Sequence, residues 1–366
     1  MSSKNFKIGI MTFHDAINYG ALLQAYALHT WIRQEGYICD VVDYECEQFK
    51  NSYKVFNIYD YTLKGLISAV LKTPYCYIKK KKFRSFSKKH IYKSNEKYNS
   101  KNIEKSNEFY DVFITGSDQV WNLKLTGGDK NYFLNFVDDS NYRISYAASI
   151  GDLQVLKNEK YIFKEELEKY SSISVRESDA RDLLNKFFKF DVKHVLDPVF
   201  LLNKDQWRNI FSPKISEKYI LVYLLHEQTV YSISEKLSKL TGFKVICIQN
   251  TLNKKINAKY ILTAGIEEFL SYAFNAEYIV TDSFHGAAFG VIFRKNLKIV
   301  MKKQLKELNG RLETLVNEFG LEKAVVNMNT DDDVLLEKVD YKLSEEKINY
   351  AIKTSKNYLR EALRLK

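Results

Sequence analysis

Residues 7–44 read KIGIMTFHDAINYGALLQAYALHTWIRQEGYICDVVDY, and the hydrophobic period changes twice within them. Lys7 to Phe13 is a short apolar run that empties into a polar turn containing Asn18-Tyr19-Gly20, the pattern of a strand followed by a loop. From Ala21 to Glu35 the apolar residues Leu22, Leu23, Ala25, Tyr26, Leu28, Trp31 and Ile32 recur at helical spacing. Gly36 stops the helix and Cys39 to Tyr44 forms the next strand. A β-α-β unit builds a parallel sheet, and such sheets hold ligands at the carboxyl ends of their strands. The expected fold class is therefore α/β.

Outward from this unit the alternation continues. Asp111 to Thr115 reads as a buried strand opening into Gly116-Ser117-Asp118-Gln119-Val120-Trp121-Asn122. Arg143 to Ala148 is a strand ending in Ser149-Ile150-Gly151, a helical stretch lies around Glu159 to Tyr170, and Ile173 to Val175 leads into Arg176-Glu177-Ser178. The first half closes near Val195-Leu196-Asp197-Pro198, and Trp207 to Lys218 reads as a connection. A second series then begins: strands at Tyr219 to Leu225, Lys244 to Ile248, Tyr278 to Thr281 and Lys298 to Met301, with helices at Val230 to Leu240, Ile266 to Phe274 and Arg311 to Phe319. Ser344 to Leu365 is helical with no strand after it. The expected division is 1–203, 204–340, and a segment 341–366 that packs back on the first domain.

Composition agrees with two domains: 366 residues, 45% hydrophobic and 28% charged, can bury more than one core. Cys39, Cys46, Cys76 and Cys247 show no C-x-x-C spacing, which excludes a disulfide framework and a zinc ribbon and fits a reducing cytoplasm. No secretory leader is expected at the N-terminus, and Thr62 to Ile78, the most apolar long stretch, is interrupted by Lys64, Lys72 and Pro74. The net charge of +11 is local, because Lys50 to Lys105 holds 15 Lys or Arg against 3 Asp or Glu and the remaining 41 and 42 nearly cancel. Nucleic-acid binding is not expected from it, since aromatic platforms and a recognition motif are missing. Asp331-Asp332-Asp333 reads as a solvated turn, and no metal is assigned.

Chemistry is expected in the loops. In Thr281-Asp282-Ser283-Phe284-His285-Gly286 a buried strand turns directly into a helix. The first N–H groups of a helix favour an anion, and a histidine beside them can bind phosphate or act as a general acid. The alternative is that Asp282 or Ser283 merely caps the helix and His285 is a core residue. Arg176, at a strand end, can fork onto phosphate or carboxylate, or form a helix-start ion pair with Glu177 or Asp179. Asp118 in its Ser117-to-Gln119 loop is a base, a hydroxyl binder or a turn former. Asn18-Tyr19-Gly20 lets backbone approach a ligand. His14 and His226 also follow strands, but carry no catalytic assignment. Walker A, G-x-S-x-G and zincin patterns are absent, which removes P-loop, serine-hydrolase and zinc-protease readings.

Six stretches, in order, resemble the polysaccharide pyruvyl transferase family: NYGALLQAYAL (Asn18 to Leu28), FITGSDQVWN (Phe113 to Asn122), SYAASIG (Ser145 to Gly151), SVRESDA (Ser174 to Ala180), VLDPVFLL (Val195 to Leu202) and TDSFHGAAFG (Thr281 to Gly290). The resemblance implies a GT-B-like fold, two Rossmann-like domains facing across a cleft, with no metal and no cofactor beyond phosphoenolpyruvate as co-substrate. It implies transfer of the enolpyruvyl unit to a hexose as a cyclic ketal, with release of phosphate. On that reading His285 and Arg176 share one cleft and hold the anions of phosphoenolpyruvate. Ser283 starts the binding helix, and Arg311 and Lys295 are further candidates. His285 supplies a proton, and Asp118 or Asp15 orients the acceptor hydroxyls, with Asn18, Tyr19, Gly20, Ser117 and Gln119 lining the acceptor side. Ser283 stands two residues before His285, so an arginine at that position is not available. The rival readings are a GT-B glycosyltransferase that uses a nucleotide sugar and a non-catalytic glycan- or lipid-binding protein. The acceptor is expected to be a surface-polysaccharide or lipid-linked intermediate. Lys79 to Lys82, next to apolar residues, are expected to meet an anionic membrane on its inner face or to be merely solvated.

Overall fold

The computed structural model describes residues 6–48, 63–212, 217–225, 228–249, 254–301 and 309–364, those at 63–70 in backbone only. The chain divides into two units. The first is Met1–Tyr53, Ser87–Leu202 and Tyr350–Lys366; the second is Lys54–Phe86 and Asn203–Asn349.

The first unit is built on β1 (Lys7–Met11), β2 (Ile38–Tyr44), β3 (Lys93–Tyr98), β4 (Val112–Thr115) and β5 (Tyr142–Ser145), in the order β3-β2-β1-β4-β5 and parallel throughout. The two central strands are the apolar runs KIGIM and VFIT, buried along almost their whole length, as strands covered on both faces must be. Between β1 and β2 runs α1 (Tyr19–Gln34), whose face from Tyr19 to Ile32 is almost wholly buried. Beyond β5, single bridges from Ile144 to Ser172 and from Ala148 to Val175 attach a parallel pair, β6 (Ile173–Val175) and β7 (Val192–His194). The core beneath is aromatic, with Trp121 stacked on Phe133 at 5.5 Å.

The second unit repeats the plan with β8 (Tyr219–Tyr223), β9 (Lys244–Ile248), β10 (Lys259–Ile261), β11 (Tyr278–Thr281) and β12 (Asn296–Ile299), ordered β10-β9-β8-β11-β12 and parallel. Each sheet therefore starts at its middle strand, grows to one edge, then returns to grow the other way. The reversal lies between β1 and β4 in one unit and between β8 and β11 in the other. Diverging connections leave a crevice above the carboxyl ends of those two strands, the usual ligand position in a doubly wound sheet. Both units are thus Rossmann-like, as the GT-B expectation requires.

Three features depart from the sequence reading. The basic stretch is a 28-residue helix, α2 (Leu63–His90), with Pro74 inside it. Residues 54–86 group with the second unit, not with the first as expected. The ion pair from Lys82 to Glu268, at 2.6 Å, is one tie that holds them there. The short strands β3, β7 and β10 were not expected, since KSNEKY and its like are polar edge segments without a hydrophobic period. At the chain's end α8 (Tyr341–Ala362) begins in the second unit, where the Tyr341 hydroxyl lies 3.1 and 2.8 Å from the carbonyls of Gly290 and Lys295. From Tyr350 it belongs to the first unit. There Ser355 Oγ accepts from the Leu196 N–H at 2.9 Å, Tyr358 donates to the Ser145 carbonyl at 2.8 Å, and Arg360 forks onto Glu35 at 2.8 and 2.7 Å. The labels α3 to α7 denote Ser178–Phe188, Thr229–Thr241, Ile266–Asn275, Phe284–Ile292 and Gly310–Phe319. Among the described residues no helix is long and apolar enough to cross a membrane.

Candidate functional site

In the first unit the loops after β1, β4, β5 and β6 converge on one buried polar cluster. Thr12, following β1, donates to the Ser117 carbonyl at 2.9 Å and accepts from Gln24 of α1 at 2.9 Å, which ties the β1 and β4 loops together. Asp118 holds a left-handed backbone with φ 74°, and its Oδ1 accepts from the Gln119 N–H at 2.9 Å. A non-glycine residue in that region is uncommon and turns the loop sharply, leaving the carboxylate only partly exposed. Gly151, φ 75°, has no room for a Cβ because Gln119 and Asn122 lie against it, so only glycine fits both the space and the backbone.

Arg176 is the cation of this cluster and is almost fully buried. Its Nη1 meets Asp197 Oδ2 at 2.7 Å and Ser117 Oγ at 3.4 Å, while Asp118 Oδ1 and Glu177 Oε1 each lie 3.7 Å from the guanidinium. Ser149 donates to Glu177 at 2.5 Å, and Ser117 donates to Asp197 at 3.1 Å. Burial alone works against the charged guanidinium, but Asp197, Glu177 and Asp118 more than offset it and raise its pKa. One cation among three carboxylates leaves the cluster net negative. An incoming phosphate or carboxylate would meet that charge, so the surroundings of Arg176 suit the ordering of Ser117 and Asp118 better than the holding of an anion. Asp197 and Glu177 carry as much of the site as any candidate named from sequence. Asp197 reads there as the residue before a proline, and it does cap the 3-10 turn Pro198–Leu201 by accepting from the Val199 N–H at 3.1 Å.

The remaining first-unit candidates are placed as follows. Asn18 is the N-cap of α1, accepting from the Ala21 N–H at 3.2 Å, and Tyr19 and Gly20 are buried in the first turn. Asp15 is exposed. Gln119 accepts from the Asn122 side chain at 2.8 Å. His14 was passed over as catalytic, yet it is a buried tie: Nδ1 lies 3.0 Å from the Thr12 carbonyl and Nε2 2.9 Å from Asp43. Burial pushes the Asp43 carboxyl up, but His14 first, then Lys93 and Lys97, outweigh it and hold the carboxyl at about 2. A groove of about 470 Å³ bordered by Tyr170, Ile173, Phe190 and Tyr358 lies at the amino end of β6, the end away from Arg176.

In the second unit β11 runs through Asp282 and Ser283 into α6. Ser283 is extended, φ −98° and ψ 132°, and its Oγ accepts from the Gly286 N–H at 3.4 Å, a helix cap. Asp282 is buried and accepts from the Leu225 N–H at 2.7 Å, which fixes the β8 loop beside the β11 loop. Thr281 Oγ1 donates to the Tyr223 carbonyl at 2.5 Å and accepts from the Ser283 N–H at 3.0 Å. These bonds set α6 with its amino end just past the carboxyl end of β11, where the helix dipole favours negative charge. His285 stands in the first turn, mostly buried, its ring edge-on to Phe284 at 5.1 Å. Arg311 is half-buried in the first turn of α7, a helix that packs against α6. Lys295 is not brought to His285: it precedes β12, which is parallel to β11, so it lies at the opposite end of the sheet, about 13 Å away along the strand. There its ammonium stacks over Phe274 at 5.5 Å. His226 falls outside the described residues.

The sequence model of the polysaccharide pyruvyl transferase family matches residues 18–297, more than half of the chain, including the loops that carry Asp118, Arg176 and His285. The chain belongs to the polysaccharide pyruvyl transferase family. No curated protein sequence matches it. Among solved structures, an alpha-glucosyltransferase in complex with UDP is 11% identical, covering 98% of this chain and 94% of its own, with a TM-score of 0.48. The UDP-N-acetylglucosamine 2-epimerase from Rickettsia bellii is 13% identical over 98% of this chain and 96% of its own, with a TM-score of 0.47. The Methanocaldococcus jannaschii UDP-GlcNAc 2-epimerase bound to UDP-GlcNAc and UDP is 14% identical over 96% and 92%, also at 0.47. Likenesses this distant carry no argument about what this pyruvyl transferase family member does.

Proposed function

We propose that the chain transfers the enolpyruvyl unit of phosphoenolpyruvate to two hydroxyls of a hexose, forming a cyclic ketal and releasing phosphate. The observation that supports this reading is the α6 start, where a strand end, a capped helix and His285 are assembled within a family named for this transfer. The second unit would take the donor: the α6 dipole faces the phosphate or carboxylate, with Arg311 as a further cation. The first unit would take the acceptor, with Asp118 accepting from a sugar hydroxyl and Arg176 holding the Asp118 loop in place. Asp15 is a second, exposed carboxylate on that side.

The steps balance without a metal or an oxidant. His285 gives a proton to the methylene carbon, and the adjacent carbon, now cationic in character, bonds to the first hydroxyl oxygen as Asp118 takes its proton. The C–O bond to phosphate then breaks, and the second hydroxyl closes the ring. Two hydroxyl protons are lost, one equivalent is gained by the methyl group and one by the departing phosphate. Negative charge grows on the departing phosphate, which the positive amino end of the α6 dipole favours.

The acceptor class we propose is a surface-polysaccharide or lipid-linked glycan intermediate. Purified protein incubated with phosphoenolpyruvate and a panel of lipid-linked or nucleotide-linked hexoses should release phosphate and yield the ketal by mass spectrometry. Consumption of a nucleotide sugar with no phosphate released from phosphoenolpyruvate would overturn the assignment in favour of glycosyl transfer.

A further inference from the structure

The basic helix α2 is sorted by side rather than by sequence. Lys79, Phe83, Phe86 and Ser87 face inward and are buried. On the other side the helix exposes Leu71 at 56%, Tyr77 at 63% and Ile78 at 44% of their surface, whereas Tyr75, one turn before Lys79, lies along the inward column at 42%. Lys81, Arg84 and Lys88 follow Tyr77 at i+4, i+7 and i+11 and are exposed. Leu63 to His90 contains no Asp or Glu. From Leu71 to Lys88 the helix runs for about 26 Å, its apolar half followed directly by its cationic half.

We propose that this outer face of α2 is a docking surface for an anionic lipid bilayer, on which the helix lies flat. Three large apolar or aromatic side chains in water have no evident role in folding, and a bilayer interface is where tyrosine and isoleucine gain from partial burial. The adjoining cations select the sign of that surface, since lipid headgroups of anionic phospholipids attract Lys and Arg at short range. The assignment changes the residues expected from sequence. Lys79 is turned inward, and Lys82 is paired with Glu268, so the contact is carried by Leu71, Tyr77 and Ile78 with Lys81, Arg84 and Lys88. It stands apart from the transferase reading, because it rests on the surface alone.

The test is co-sedimentation of the full chain with phosphatidylcholine vesicles, with and without phosphatidylglycerol, and with no substrate present. Binding is expected with the anionic vesicles and should weaken as salt shortens the Debye length. The variant Lys81→Gln/Arg84→Gln/Lys88→Gln should lose about 10²-fold in partitioning, and Leu71→Ser/Tyr77→Ser/Ile78→Ser on the order of tenfold. All six side chains are exposed, so thermal denaturation should show the fold intact. A charge-matched control, Lys193→Gln/Lys244→Gln/Lys323→Gln, removes exposed lysines elsewhere and should bind as the parent does. Equal binding to both vesicle types, binding to neither, or an equal loss in the control overturns the proposal. So does capture of a single-stranded oligonucleotide with the same residue dependence and no vesicle binding. Phosphate release on a water-soluble acceptor is measured separately, so either reading can fail while the other survives.

Discussion

A histidine at a helix start and an arginine in a carboxylate cage make opposite predictions. His285→Gln keeps a polar ring-sized side chain in the first turn of α6 and removes the proton, so turnover should fall on the order of 10²-fold while the melting temperature stays near that of the parent. A histidine with only a structural task would show the reverse, a lower melting temperature and full activity in the folded fraction. Arg176→Ala should act first on stability, by about 3–5 kcal/mol, because it strands Asp197 and Glu177 without their cation. Adding Asp197→Asn to that chain should recover part of the loss in urea denaturation. An Arg176→Ala chain as stable as the parent would show that the cage is not what keeps the arginine there. Asp43 adds a pH signature. Its folded carboxyl is held at about 2, below the ordinary 3.8, so its contribution is present above about pH 4 and is lost as pH falls through 2. Asp43→Asn should therefore flatten the acid limb of the urea midpoint between those limits. At this scale the sequence exposed His285, Ser283 and Arg176 as residues at strand ends and offered Glu177 as an ion-pair partner of Arg176, but not Asp197. Asp197 lies 21 positions downstream, and nothing local distinguishes a caging carboxylate from a turn former.

Gly286 fixes how closely α6 can approach the sheet. A Cβ there would press on the Thr281 side chain and lie 3.1 Å from the Tyr223 ring, so Gly286→Ala should push the helix start outward. A loss of about 1–3 kcal/mol in stability is expected from overpacking, with activity reduced further in the folded fraction, measurable as a change in kcat at saturating donor. For α2 the informative residue is the inward one. Burial pulls the Lys79 ammonium down to about 8 from 10.5, so between those values the unfolded chain holds more protons than the folded one. Stability should consequently rise with pH across that window, and Lys79→Met should remove the slope in denaturation midpoints taken from pH 8 to 10.5. The central strands were legible because VFIT and YIVT are continuous apolar runs bounded by polar loops. The edge strand KSNEKY was not, because one side of it faces water and pairing alone makes it a strand. The helix α2 hid for a related reason: a lysine sits on its buried face and Leu71, Tyr77 and Ile78 on its exposed one, which inverts the amphipathic pattern a sequence reading relies on.

Neither unit is one continuous piece of chain. The first takes strands from residues before Leu202 and is finished by the helix after Tyr350, whose Ser355, Tyr358 and Arg360 bond to Leu196, Ser145 and Glu35. Leu359 is fully buried there. A chain ending at Asn349 should therefore lose protection selectively. Amide hydrogen exchange should accelerate in α1 and β5 and leave β8 and β11 near their parent rates, whereas uniform acceleration would mean that the two sheets unfold as one. That the chain holds two α/β sheets was readable from the repeated strand-then-loop rhythm, but their common strand order and the borrowing of 54–86 by the second unit were not, since no periodicity records which of two cores a segment joins.

Synthesis on the ribosome runs from one end, and that gives the closing helix a temporal meaning. The 147 residues from Asn203 to Asn349 must be made before the last piece of the first unit leaves the ribosome, which at ~5–20 residues per second is roughly 7–30 s. For that interval the first-made sheet waits with the Leu196 amide, the Ser145 carbonyl and the Glu35 carboxylate lacking the bonds that α8 supplies, and by its end β8 to β12 of the second unit have all been made. The half that is translated first is thus the half that is completed last, and a nascent chain stalled near Asn349 should present its first unit to chaperones and proteases in preference to its second.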